Sequence, residues 1–257
     1  MKTKLIFLAL LVCQIMPSLA ENTLRSRETF DFDWLFSLSD STSYSEQSYN
    51  DKVNWEKIQI PHDWNIKMQF DNKGNGSAAY LPESIGWYRK HFFVPNASKD
   101  KKIMIMFDGI FHQSDVYING HHLGYRPYGF CSIYYDMAPY LNFGKDNVIA
   151  VRANCTGERP RWYAGSGIYR HAWLITTQPV HIATYGTYVT TPHVSDDKAT
   201  ISIVTTVENS SSSTKSVSVS QRILNPSGKT VATIKKTTII AANEKQNVSQ
   251  VLEVLSP

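Results

Sequence analysis

Asp115-Val116-Tyr117-Ile118-Asn119-Gly120 is the stretch whose reading decides the fold. A short run of β-branched and aromatic residues reaches Asn-Gly, the pair that suits a type I′ turn because both central residues there need positive φ. The segment therefore predicts a β-hairpin. Working outward, Lys102-Ile103-Met104-Ile105-Met106-Phe107 is an apolar run closed by Asp108-Gly109. Asn147 to Arg152 and Trp173-Leu174-Ile175-Thr176 repeat the β-branched and aromatic pattern. No window of helical length keeps a 3.6-residue period. About 160 residues of short strands separated by turn signals predict a sandwich or jelly roll.

The composition changes abruptly further on. Every Trp, Tyr and Phe lies at or before Tyr188, and Ser, Thr, Val and Lys dominate from Val189 to Pro257. A boundary is expected near Pro179 to Tyr185. Beyond it, Ala199 to Val207, Ser216 to Leu224, Thr230 to Ile240 and Asn247 to Val254 read as strands. Asn225-Pro226-Ser227-Gly228 is a turn in which Pro fixes φ and Gly tolerates a positive one. Four strands fall short of the roughly seven in an immunoglobulin-like sandwich. The reading is thus all-β, with residues 21–180 as one sandwich and 181–257 as a second, incomplete one that looks cut within the domain.

The N-terminus reads as a cleavable leader. Lys2 and Lys4 precede an apolar stretch from Leu5 to Ile15, and Ser18-Leu19-Ala20 offers a small-x-small cleavage site. Residues 1–20 are expected to be removed after Ala20, leaving a secreted or periplasmic protein; Val12 weakens a lipoprotein reading through Cys13. No later run approaches the roughly 20 apolar residues of a membrane-spanning helix. Loss of the leader removes two of the 26 basic residues and none of the 22 acidic ones, for a net charge of about +2. Scattered basic residues do not fit nucleic acid. Cys131 and Cys155 survive processing, and their spacing leaves a disulfide open. Sequons stand at Asn75, Asn96, Asn154, Asn209 and Asn247.

The candidate site is Arg161-Trp162-Tyr163-Ala164-Gly165-Ser166-Gly167-Ile168-Tyr169-Arg170. Glycines permit tight turns or close approach, aromatic faces suit a sugar ring, and arginine offers a forked donor to oxygen. A rigid aromatic loop at a domain interface explains the same composition. Other chemistry is missing: there is no His-Glu-x-x-His or Cys-x-x-Cys, and the neighbours His121 and His122 point to opposite faces of a strand. Ser166 lacks the flanking residues of a nucleophile elbow. Asp63 in Pro61-His62-Asp63-Trp64, and Glu158, are the carboxylates freest to reach a ligand, but no spacing identifies an acid and nucleophile pair. No metal or cofactor is expected.

Seven segments, taken in order, resemble the N-terminal sugar-binding domain of glycoside hydrolase family 2, especially its secreted Bacteroidetes β-galactosidase-like members. They are Phe32-Asp33-Trp34-Leu35-Phe36, Ile60-Pro61-His62-Asp63-Trp64, Gly86-Trp87-Tyr88-Arg89-Lys90, Phe107-Asp108-Gly109, Val116-Tyr117-Ile118-Asn119-Gly120, Tyr128-Gly129-Phe130 and the decapeptide ending at Arg170. The resemblance implies a galactose-binding-like jelly roll, an immunoglobulin-like domain and then a (β/α)₈ barrel carrying two catalytic glutamates that act with retention. A barrel alone takes about 250 residues, so it is expected to lie outside this chain. The implied partners are a β-linked oligosaccharide or glycoside and the barrel of the same enzyme. Asp63, Arg161, Trp162 and Tyr163 are the implied substrate-binding residues, with no catalytic residue in this chain. His171 stands where some members carry Asp, which sets it apart from that group. The alternatives are a stand-alone carbohydrate-binding or adhesion module, and a member of β-glucuronidase or β-mannosidase type.

Overall fold

A computed structural model describes residues 24–157, 162–255 and 257. The leader, Glu158 and Arg161 lie outside the described residues. Among the described residues there is no α-helix; short 3₁₀ turns join fifteen strands.

The first sandwich has two antiparallel sheets. One contains β2 (Trp34–Ser37), β3 (Glu56–Ile58), β4 (Ile85–Val94), β6 (Ser114–Ile118), β7 (His121–Arg126) and β9 (Lys145–Asn154), in the order β3-β2-β4-β9-β6-β7. The other contains β1 (Arg25–Thr29), β5 (Lys102–Phe107), β8 (Ile133–Asp136) and β10 (Ala172–Thr177), in the order β1-β10-β5-β8. The expected hairpin forms between β6 and β7, with φ of 50° at Asn119 and 86° at Gly120. Trp34, Tyr88, Ile105, Phe107, Val116, Ile118, Ile149 and Val151 fill the space between the sheets. This is a jelly-roll β-sandwich.

Alternation along β4 gives the Trp87-Tyr88-Arg89-Lys90 run its meaning. Trp87 Nε1 donates to Asp40 Oδ1 at 2.8 Å, and Arg152 holds the same carboxylate through two bonds of 2.8 Å. The Arg152 hydrogen bonds hold the Asp40 carboxyl below the usual range. Arg89, fully buried, donates to Asp51 Oδ2 at 2.7 Å and also to the carbonyls of Tyr44 and Glu46. Burial would raise the Asp51 carboxyl, but Arg89 and His91 outweigh it and the group sits low. Lys90 donates to the Phe32 carbonyl and lies over the Phe30 ring, 4.6 Å from its centre. Trp87, Arg89 and Lys90 thus fasten surrounding loops to one central strand.

The second sandwich has β11 (Val180–Val194), β12 (Lys198–Asn209) and β15 (Glu244–Leu255) in one sheet, and β13 (Lys215–Leu224) with β14 (Thr230–Ile240) in the other. It is immunoglobulin-like, with five strands among the described residues where the sequence predicts four. Strand β11 escapes the sequence pattern because its register shifts between Ile182 and Thr187 and again between Thr190 and His193, breaking the alternation. Polar, exposed β1 escapes for a related reason: as an edge strand it has little apolar side to show. Lys102 on β5 ties the sandwiches together, bonding Asp136 at 2.9 Å and Glu208 on β12 at 3.1 Å. Burial pushes the Glu208 carboxyl upward, but bonds from Lys102 and Lys245 prevail and leave it lowered.

Candidate functional site

Asp63 organises the site. Its Oδ1 accepts the Asn65 N–H at 3.0 Å and so caps the turn Trp64–Lys67. The same oxygen accepts the Ser166 N–H at 3.1 Å, while Oδ2 accepts the Tyr163 hydroxyl. The Asp63 side chain therefore fastens the segment before β10 to the segment after β3. Charge-assisted bonds of this kind are about twice as strong as neutral ones, so the loop is held firmly.

Two glycines make the approach possible. Gly165 has φ of 83°, and a Cβ there would stand 3.3 Å from Asp63 Oδ2. At Gly167, with φ of 102°, a Cβ would stand 2.0 Å from Tyr88 Oη and 2.8 Å from the Trp64 ring. Only glycine combines that backbone with that proximity. Gly167 exchanges backbone bonds with Phe111 at 2.7 and 2.9 Å, and the Ile168 carbonyl accepts the His62 N–H at 2.8 Å. His62 Nδ1 lies 3.0 Å from the Tyr88 hydroxyl. Burial holds the His62 imidazole below its ordinary value and pushes the Tyr88 hydroxyl well above its own, so both are neutral at pH 7.

The expected site residues separate. Asp63 and Tyr163 meet, with both Asp63 oxygens engaged inside the protein. Trp162 turns outward, 67% exposed, beside Phe70, Asn72, Ala79 and Tyr80. Arg161 lies outside the described residues. Tyr169 reaches away to donate to the Gly129 carbonyl at 2.9 Å. His171 Nδ1 bonds the buried Asp31 at 2.7 Å, and Asp31 also accepts the Ala172 N–H at 2.9 Å. Cys131 and Cys155 form no disulfide with each other, which answers the question left open by spacing. His122 bonds Asp115 at 2.9 Å whereas His121 stacks on Tyr140.

Sequence reasoning missed the residues that surround Asp63. Asn65 and Ser166 are fully buried, and neither the Asn65 amide nor the Ser166 hydroxyl has a protein partner among the described residues. Each adjoins a backbone N–H bound to Asp63, a relation that sequence separation conceals. Phe70 and Tyr80 were missed because nothing in their local spacing sets them beside Trp162. Among the described residues, no three His, Cys, Asp or Glu side chains gather as metal ligands.

The fold defines the class: a jelly-roll β-sandwich followed by an immunoglobulin-like one. Residues 28–179 match the model of the glycosyl hydrolases family 2 sugar binding domain, and residues 180–257 match a second glycosyl hydrolases family 2 model. The chain belongs to glycosyl hydrolase family 2. It is 39% identical over 238 residues to the β-galactosidase BoGH2A of Bacteroides ovatus, covering 91% of this chain and 28% of that protein. It is 32% identical to a β-glucuronidase of Formosa agariphila, covering 91% of this chain and 26% of that protein. A solved family 2 glycosyl hydrolase from Bacteroides cellulosilyticus superposes with a TM-score of 0.80 at 38% identity, over 90% of this chain and 32% of that one. The chain thus spans about a quarter to a third of the length of these relatives.

Proposed function

We propose that this chain is the N-terminal portion of a secreted, retaining β-glycosidase of β-galactosidase type, and that it supplies loops to the substrate site. The observation that carries this reading is the fastening of the 162–170 segment through Asp63, Tyr88 and Phe111, with Trp162 left facing solvent. A loop so held presents an aromatic face at low entropic cost, which is what recognition of a sugar ring requires. Asp63 serves as the positioning residue, Tyr163 as its partner, and Trp162 and Arg161 as the groups offered to substrate. The hydrolytic glutamates belong to a barrel outside this chain, one as acid/base and one as nucleophile through a covalent glycosyl-enzyme. Residues 1–20 direct export across the membrane and are removed by cleavage after Ala20.

Joining or co-expressing the chain with a family 2 barrel that carries the two glutamates tests the reading. The joined protein should cleave an aryl β-galactoside faster than the corresponding β-glucuronide. Asp63→Asn should lower kcat/KM by loosening the loop. A well-folded joined protein that cleaves no aryl glycoside overturns the proposal, and preference for the glucuronide overturns the galactosidase assignment. N-terminal sequencing of the exported protein should begin at Glu21.

A further inference from the structure

Phe70, Tyr80 and Trp162 are 76%, 45% and 67% exposed. With Asn72 and Ala79 they line a surface depression of about 550 Å³. Most other large rings of the first sandwich pack against one another, as Trp34, Phe36, Trp64 and Tyr88 do. Leaving three rings in water forgoes the favourable burial that drives the packing of the others.

The loop is built to keep them there. Asp71 N–H donates to the Tyr80 carbonyl at 2.8 Å and Tyr80 N–H to the Asn75 carbonyl at 3.0 Å, closing the 71–80 segment on itself. Ala79 and Tyr80 both adopt left-handed backbone, with φ of 55° and 60°. Such conformations are unfavourable in non-glycine residues and persist where the surroundings fix them. Trp162 arrives from the other side on the segment fastened by Asp63. Two independently held loops thus bring three aromatic faces around one concavity.

From this arrangement we propose that the depression is a subsite for neutral sugar units of a β-linked oligosaccharide. Aromatic faces match the C–H faces of pyranose rings, and the Asn72 amide and Tyr80 hydroxyl provide donors and acceptors for equatorial hydroxyls. The volume lies within the roughly 300–1,000 Å³ of small-molecule sites. Among the described residues the five that line it carry no charge, which suits neutral sugar units. The proposal rests on the glycosidase reading above and names the length and charge of its substrate.

The test uses the 257-residue chain itself. Its Trp162 indole N–H resonance, assigned by comparison with Trp162→Phe, is followed during titration with β-1,4-galactotetraose, cellotetraose and galactose. A tetraose should shift that resonance saturably, with galactose about tenfold weaker, and Phe70→Ala should weaken tetraose binding about tenfold. Phe70 is exposed, so this variant keeps the fold, verified by near-ultraviolet circular dichroism. Absence of a shift with both tetraoses, equal response to galactose, or an unchanged Phe70→Ala variant overturns the subsite. So does a Phe70→Ala variant that weakens joining to the barrel portion while leaving oligosaccharide binding intact. Aryl glycoside cleavage by the joined protein is read separately: cleavage without tetraose binding removes the subsite alone, and tetraose binding without cleavage removes the glycosidase reading alone.

Discussion

The two sandwiches reach stability by different means. The first packs rings edge to face, Phe30 against Trp34 at 6.0 Å and Trp34 against Tyr88 at 6.4 Å, and threads buried charge through the surrounding loops. The second relies on small aliphatic clusters, Ala199, Ile201, Ile203 and Leu252 in one and Val207, Val219, Ile240 and Val248 in the other. Aromatic contacts and ion pairs are directional, so they fix loops as well as sheets. Aliphatic burial is not directional and mainly holds sheets together. The comparison teaches why the candidate site sits on the first sandwich: placing a loop takes directional contacts, and only that sandwich has them in quantity.

Breaking the directional part should give the largest effect. Arg89→Ala leaves Asp51 buried without its guanidinium partner and should cost about 3–5 kcal/mol, read as a lower urea midpoint. Truncation in the second sandwich should cost somewhat less and stay local. Ile240→Ala should lose about 2–3 kcal/mol, with limited proteolysis cutting within residues 180–257 while residues 24–157 stay protected. Equal digestion of both would show that the sandwiches unfold as one unit.

Gly167→Ala sharpens the contrast between holding a sheet and holding a loop. The added methyl collides with Tyr88 and should cost about 1–3 kcal/mol, with the Trp162 indole resonance moving while the strand amides stay in place.

The smallest effect is with pH. His62 in the first sandwich and His181 in the second both have imidazoles lowered chiefly by burial. A histidine held below its unfolded value contributes stability above that value and loses it as pH falls. Unfolding midpoints should therefore decline as pH drops below about 6.5. A second decline near pH 4 and below belongs to Asp40, Asp51 and Glu208, whose carboxyls are lowered by their cationic partners. His62→Gln should remove part of the first decline and leave the second unchanged, as measured by urea titration across pH.

Much of this was legible along the chain. The Asn119-Gly120 turn formed where positive φ was expected; β5 coincides with its apolar run, and β6, β9 and β10 extend theirs by one or two residues. The glycines of the decapeptide were read as a device for close approach, and Gly165 and Gly167 do approach Asp63 and Tyr88. Less legible was the split within that decapeptide. Tyr163 turns inward to Asp63 and Trp162 outward to Phe70 and Tyr80, although the two rings are neighbours in sequence. Adjacent side chains in an irregular loop follow no fixed period, so their directions depend on partners about a hundred residues away.

By itself the sequence determined the all-β class and the change of character after Tyr188, because periodicity, turn chemistry and composition act over a few residues; the family came from the resemblance of seven ordered segments. Only the tertiary structure decided which groups became anchors and which stayed open. Asp63 and Arg89 are charged residues that could each have faced water. Folding turned one into a loop clasp and the other into a buried brace, because N–H and O–H donors converged on Asp63 and carboxylate and carbonyl oxygens from a distant segment converged on Arg89. That convergence is long-range, and no local pattern encodes it.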